Sequence, residues 1–112
     1  NDNIIKAVVG KTFTHIVEDP TKNVLIYLYP EGCEHCRGFT DNVLQKIAYE
    51  KQDMRDLRFC KLLISMNDIP GKFSPDTETI AFYPKNNKSN PVIFNGNMER
   101  DNIANWLNAQ LK

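Results

Sequence analysis

Cys33-Glu34-His35-Cys36 is the stretch of this chain where reactive side chains stand together at a chemically useful spacing. Two thiols three positions apart can meet on one turn of helix, and the chemistry open to them is disulfide exchange or metal binding. Their surroundings favour exchange. Pro30-Glu31-Gly32 breaks the chain just before them, and Phe39, Val43, Leu44, Ile47 and Ala48 then form a helical apolar stripe ending near Lys51. Cys33 is therefore expected at a helix N-terminus, where unpaired N–H groups and about half a positive charge stabilise a thiolate. Cys36, one turn in, is expected to be shielded. Sulfurs this unlike divide the labour of exchange: the outer thiolate attacks a substrate disulfide and the inner thiol resolves the mixed disulfide. His35, when protonated, favours the anionic Cys33, while the Glu34 carboxylate opposes it. The helix end and His35 together are expected to prevail.

Zinc is the competing reading, and it is poorly supplied. A structural site wants four ligands, and the remaining candidates are Cys60, inside an expected strand, and His15, far upstream. Haem attachment fails because Arg37, not His, follows Cys36. No metal and no other cofactor is assigned, and metal binding at Cys33 and Cys36, between two molecules for instance, stays as a third reading.

The elements that must position this turn are legible around it. Val24-Leu25-Ile26-Tyr27-Leu28-Tyr29 is apolar throughout, the pattern of a strand covered on both faces, hence a central one. Leu57 to Ile64 reads as a second buried strand, and strand–helix–strand implies a parallel crossover. Thr79–Tyr83 and Val92–Phe94, separated by the turn-rich segment 84–91, read as a hairpin. Ile103, Trp106, Leu107 and Leu111 mark the inner stripe of a closing helix. Phe13, Ile16 and Val17 suggest a short helix behind Thr12 as N-cap, and residues 1–12 read as a polar lead-in. Cys60 reads as core filling, since free cysteine is among the most buried residue types. Residues 65–78 read as a long loop whose Ile69 and Phe73 face the active turn.

Composition narrows the remaining possibilities. At 112 residues, with 14 Lys+Arg against 14 Asp+Glu, the chain suits a single domain and lacks the basic surplus that nucleic acid demands. The longest apolar run is too short to cross a bilayer, so neither nucleic acid nor membrane is expected as a partner of this segment.

Taken together, these residues resemble the catalytic (a-type) thioredoxin domains of the protein disulfide isomerase family. The resemblance rests on Val8-Val9-Gly10-Lys11-Thr12-Phe13, Val24-Leu25-Ile26, the Cys33–Cys36 turn, Asn67-Asp68-Ile69-Pro70 and Ile103-Ala104-Asn105-Trp106-Leu107, in the family's order. It implies an α/β thioredoxin fold over residues 1–112, a central mixed sheet with helices on both faces, forming one domain of a longer protein. It also implies dithiol–disulfide exchange in the endoplasmic reticulum lumen, with unfolded or disulfide-containing proteins and small thiols such as glutathione as partners. Cys33 would be the nucleophile, Cys36 the resolving thiol and His35 the thiolate stabiliser.

Several positions depart from the family pattern. Gly32 replaces a tryptophan and Glu34 a glycine. Tyr27 stands where the family has a buried carboxylate that takes the proton of the inner thiol, and a phenol of ordinary pKa about 10 is a poor acceptor. Glu78 aligns with a cis-proline and is read as trans, given the cost of a non-proline cis bond. Met98 aligns with a mobile arginine, for which Arg100 is the nearby candidate. These changes leave a second reading open: a module that binds unfolded or partner proteins, without catalysis, through residues 30–36 and 69–78.

Overall fold

The computed structural model describes residues 4–71 and 73–112. Its centre is β2 (Asn23–Tyr29), whose residues Val24 to Leu28 are all buried. Parallel to it runs β3 (Leu57–Leu63), with Leu25 opposite Phe59 and Tyr27 opposite Lys61. On the other side β4 (Thr79–Tyr83) is antiparallel, with Tyr27 opposite Ile80 and Leu28 opposite Thr79. The expected hairpin forms, as β5 (Val92–Ile93) pairs antiparallel with β4. The sheet is completed by β1 (Ile5–Ala7), parallel to β3, giving the order β1-β3-β2-β4-β5. This first strand corrects the reading of residues 1–12 as a lead-in. Its three residues are too few to show a periodicity, and two of them are exposed. Residues 1–3 of that segment lie outside the described residues.

Alternation along the strands builds two cores. Leu25, Tyr27, Phe59, Ile80 and Phe82 face one side, where they meet Phe39, Leu44, Ile47, Ile103 and Leu107. Val24, Ile26, Leu28, Cys60, Leu62, Ala81 and Tyr83 face the other, against Phe13, Ile16 and Val17. The helices therefore sit on both faces of a mixed sheet: α1 (Gly10–Val17) on one side, α2 (Glu34–Phe39), α3 (Gln45–Glu50) and α4 (Arg100–Gln110) on the other. None of the described helices is long and apolar enough to cross a membrane.

Two local details depart from the sequence reading. Helix α1 starts at Gly10, with Val9 as N-cap, so Thr12 is its third residue and not its cap; its hydroxyl reaches back to accept from the Val9 N–H at 3.1 Å. Glycine is required at the helix start by close approach, because a Cβ on Gly10 would lie 2.9 Å from the Asp68 carbonyl oxygen. The Gly10 N–H donates to the Asn67 side chain, and Asn67 donates in turn to the Leu63 carbonyl, which fastens the loop after β3 to the start of α1. The second departure lies in the helix after the cysteines. Between α2 and α3 the chain passes through a π-helical turn, Thr40–Leu44, rather than one uninterrupted α-helix. Such a turn widens the backbone hydrogen bonds by one residue and is frequent near functional sites. Buried Thr40 donates its hydroxyl to the Cys36 carbonyl at 2.9 Å, so this irregularity is anchored directly behind the inner cysteine.

Candidate active site

Strand β2 ends at Tyr29, and Pro30, Glu31 and Gly32 carry the chain round into α2. Gly32 has φ +77°, a left-handed conformation that L side chains adopt only at a cost, and nothing lies within 4 Å of where its Cβ would be. Backbone conformation, not crowding, is thus the reason for glycine there. The turn is tied down by the Glu31 N–H, which donates to Ser65 Oγ at 2.9 Å. Cys33 is the N-cap of α2, and the Cys36 N–H donates to the Cys33 carbonyl. The two cysteines are joined by a disulfide, with their Cα atoms 5.4 Å apart.

The sulfurs differ in access, as their helical positions require. Cys33 is half-buried, beside an open depression lined by Gly32, Glu34, His35 and Asp76, whereas Cys36 is 2% exposed. The imidazole of His35 lies 3.6 Å from Cys33 Sγ, and its Nε2 lies 3.9 Å from Cys36 Sγ. Glu34 is exposed at the first turn of α2 and shares a second depression with Gly32, Cys33 and Arg37.

Glu78, one residue before β4, is brought into the same cluster. The Tyr27 hydroxyl donates to Glu78 Oε1 at 2.5 Å, and His35 Nε2 lies 2.8 Å from Glu78 Oε2. Cys36 Sγ is 3.8 Å from Glu78 Oε1, within hydrogen-bonding distance for sulfur. In the sequence, the family resemblance puts Glu78 beside the cysteines only as the occupant of a proline position; no peptide bond among the described residues is cis. The missed signal is Tyr27. A phenol inside an otherwise apolar central strand needs a hydrogen-bond acceptor, and the β2–β4 register leaves Glu78 diagonal to it on the same face. Burial foremost, then the hydrogen bond to Glu78, pushes the Tyr27 phenol far above its ordinary range, so Tyr27 stays neutral and serves as a donor.

Arg100 is placed elsewhere. Its guanidinium pairs with Glu50 at 3.1 Å and Asp101 at 3.4 Å, joining the start of α4 to the end of α3, and it makes no hydrogen bond or ion pair with the turn among the described residues. Ile69 and Phe73 are half-buried against the core on the α1 face; with Ile64, Met66 and Pro75 they line a groove next to Ser65. The donor atoms of Cys33, His35 and Cys36 lie within 4.8 Å of one another, so these three could grip a metal only once the disulfide is reduced.

A cysteine pair on the turn between a central strand and a helix, in a mixed sheet with helices on both faces, defines a dithiol domain of the thioredoxin class. The chain belongs to the thioredoxin family, whose profile matches residues 4–109. It is 38% identical over 98 residues to Protein disulfide-isomerase A4 of Homo sapiens, covering 86% of this chain and 15% of that protein. With Protein disulfide-isomerase of Saccharomyces cerevisiae it shares 28% over 106 residues, covering 95% of this chain and 20% of the yeast protein. The chain thus spans a fifth or less of these relatives. Among solved structures, the first thioredoxin domain of mouse Protein disulfide-isomerase A4 superposes with TM-score 0.72 at 21% identity, over 98% of this chain and 77% of that one. The Trx4 domain of ERdj5 does so with TM-score 0.68 at 14% identity, over 97% and 96%. At these identities the structural likeness concerns the fold.

Proposed function

We infer that this chain is a thiol–disulfide oxidoreductase domain that acts on the cysteines of other proteins in the endoplasmic reticulum lumen, as part of a longer disulfide isomerase. The observation that carries this reading is the asymmetry of the Cys33–Cys36 disulfide. One sulfur is accessible beside an open depression and at the head of a helix, and the other is 2% exposed behind it. A substrate sulfur can reach only Cys33, and Cys36 stands where it can displace that substrate. The names of the relatives support the substrate class, and His35 against Cys33 supports its stabilisation as a thiolate. The expected result is catalytic acceleration of insulin reduction by a small thiol such as glutathione, followed by turbidity, and lost when both cysteines are serine.

A second reading, a binding module without turnover, is favoured by one observation. The groove of Ile64, Met66, Ile69, Phe73 and Pro75 adjoins the turn, and Met66 in it is 63% exposed. Undiminished binding of an unfolded peptide by the double-serine protein, with no acceleration of insulin reduction by the unmodified chain, would select it.

A further inference from the structure

We propose that Glu78 is a catalytic residue of this dithiol site, the carboxylate that takes the proton of Cys36 when Cys36 resolves a mixed disulfide. The proposal rests on the exchange reading above and deepens it. Cys36 is 2% exposed, so water has little access to its thiol, and an internal acceptor is needed for the proton to leave. Glu78 Oε1 is 3.8 Å from Cys36 Sγ, and Glu78 is the sole carboxylate to contact that sulfur among the described residues. The carboxylate is held from two further directions. Tyr27, on β2, donates to Oε1, and His35, on α2, closes on Oε2. Neither of these partners competes for the role. Tyr27 is a donor held neutral, and His35 Nε2 lies farther from the sulfur, at 3.9 Å, and is occupied with Glu78.

The step balances as follows. In the mixed disulfide, Cys33 Sγ is bonded to a substrate sulfur and Cys36 is a thiol. The Cys36 proton passes to Glu78 Oε1, and the sulfur lone pair attacks Cys33 Sγ. The bond between Cys33 and the substrate sulfur breaks, its electron pair leaving on the substrate as thiolate, while the Cys33–Cys36 bond forms. Substrate sulfur is reduced and the protein dithiol oxidised. The proton on Glu78 returns to the substrate thiolate or to water at the His35 edge of the cluster, where the imidazole side chain is 70% exposed. Tyr27 is then a positioning residue, acting on Cys36 only through Glu78.

The test is a single-turnover reaction of the reduced 112-residue chain with a fluorescent peptide disulfide. The first phase reports attack by Cys33 and the second reports release by Cys36. Glu78→Gln keeps the shape and accepts from Tyr27 but cannot take a proton. At pH 7 we expect its second phase to slow at least ~10-fold, in line with general-base contributions, with the first phase changed less than about threefold. At pH 9.5, above a thiol's ordinary pKa of about 8.5, hydroxide replaces the carboxylate and the deficit should shrink to less than about threefold. Of the other titratable groups around the cluster, Cys33, Glu34 and Arg37 on the turn and α2 and Asp76 before β4 make no pair with Glu78, and Tyr27 on β2 keeps an acceptor in the amide; His35 loses its carboxylate partner, an effect that falls on Cys33 and is read in the first phase. Equal second phases at pH 7, a deficit that persists at pH 9.5, or equal slowing of both phases overturns the assignment. Absence of any first phase in the unmodified chain would instead remove the exchange reading on which it stands.

Discussion

Replacing Cys33 by Ser should abolish covalent capture of a disulfide-bearing substrate, and replacing Cys36 by Ser should make that capture last. The two variants separate because their sulfurs have different access. Cys33 sits half-buried at the head of α2 beside an open depression, and Cys36 is 2% exposed under it. With Cys33 gone, no accessible thiol remains at the turn, and the third cysteine, Cys60, is fully buried between the sheet and α1. Captured substrate should therefore fall at least ~100-fold, the order expected when a covalent nucleophile is lost and only solvent routes remain. With Cys36 gone, the bond forms but nothing held at high effective concentration displaces it. The complex should then persist for minutes to hours, the range of uncatalysed disulfide rearrangement. Non-reducing electrophoresis against a peptide disulfide reads both results. Equal capture by the two variants would contradict the assignment of outer and inner roles.

Alkaline unfolding is the second large effect. Burial raises the Cys60 thiol from 9.0 to about 12, and burial followed by the nearby Glu18 charge raises the Tyr83 phenol from 10.0 to about 12. Tyr27 shifts in the same direction. All three are acids that folding keeps protonated. Above pH 9 the unfolded chain releases protons that the folded chain retains, so stability falls as pH rises. Below pH 9 none of this stability is lost. Between pH 9 and 11, at about 1.4 kcal/mol per pH unit, Cys60 removes about 3 kcal/mol and Tyr83 and Tyr27 about 1 kcal/mol each. Together the three acids remove about 5 kcal/mol, part of which Lys88 offsets: burial lowers its ammonium from 10.5 to about 8, so the unfolded chain holds that proton longer and stability gains between pH 8 and 10.5. Cys60→Val, a replacement of similar volume without an ionisable group, should spare about 3 kcal/mol of that loss. Urea midpoints at pH 8 and pH 11 for both proteins check this, and equal losses would show that Cys60 is not the titrating group.

Much of this architecture is written in apolar patterning. The unbroken run from Val24 to Tyr29 identifies the central strand because a strand covered on both faces has no polar side to show. The stripe from Phe39 to Ala48 likewise gives the helix that follows the cysteines. What patterning does not carry is short or non-local. Strand β1 is held by its pairing with β3, not by any periodicity of its own. The π-helical turn at Thr40–Leu44 leaves the apolar stripe intact and changes only backbone bonding. Of the candidate site, Cys33, Glu34, His35 and Cys36 are adjacent in sequence and were legible together. Glu78 is more than forty residues away, and its carboxylate reaches the sulfurs only because β4 pairs beside β2. Family alignment points at the backbone position of Glu78, while the structure points at its side chain. Arg100 illustrates the reverse. It stands two positions from where the family pattern has a mobile arginine, and its charge is spent on Glu50 and Asp101.

The oxidation state of the cysteines across glutathione buffers of stepped ratio, quenched with acid, alkylated after unfolding and weighed as intact protein, bears on all of this most directly. One reversible transition is predicted, in which Cys33 and Cys36 gain or lose two alkyl groups together while the free thiol of Cys60 carries one at every ratio. Cys33 and Cys36 that both remain alkylated at every ratio, or glutathione accumulating on Cys33 in place of the internal bond, would contradict an accessible sulfur paired with a resolving one.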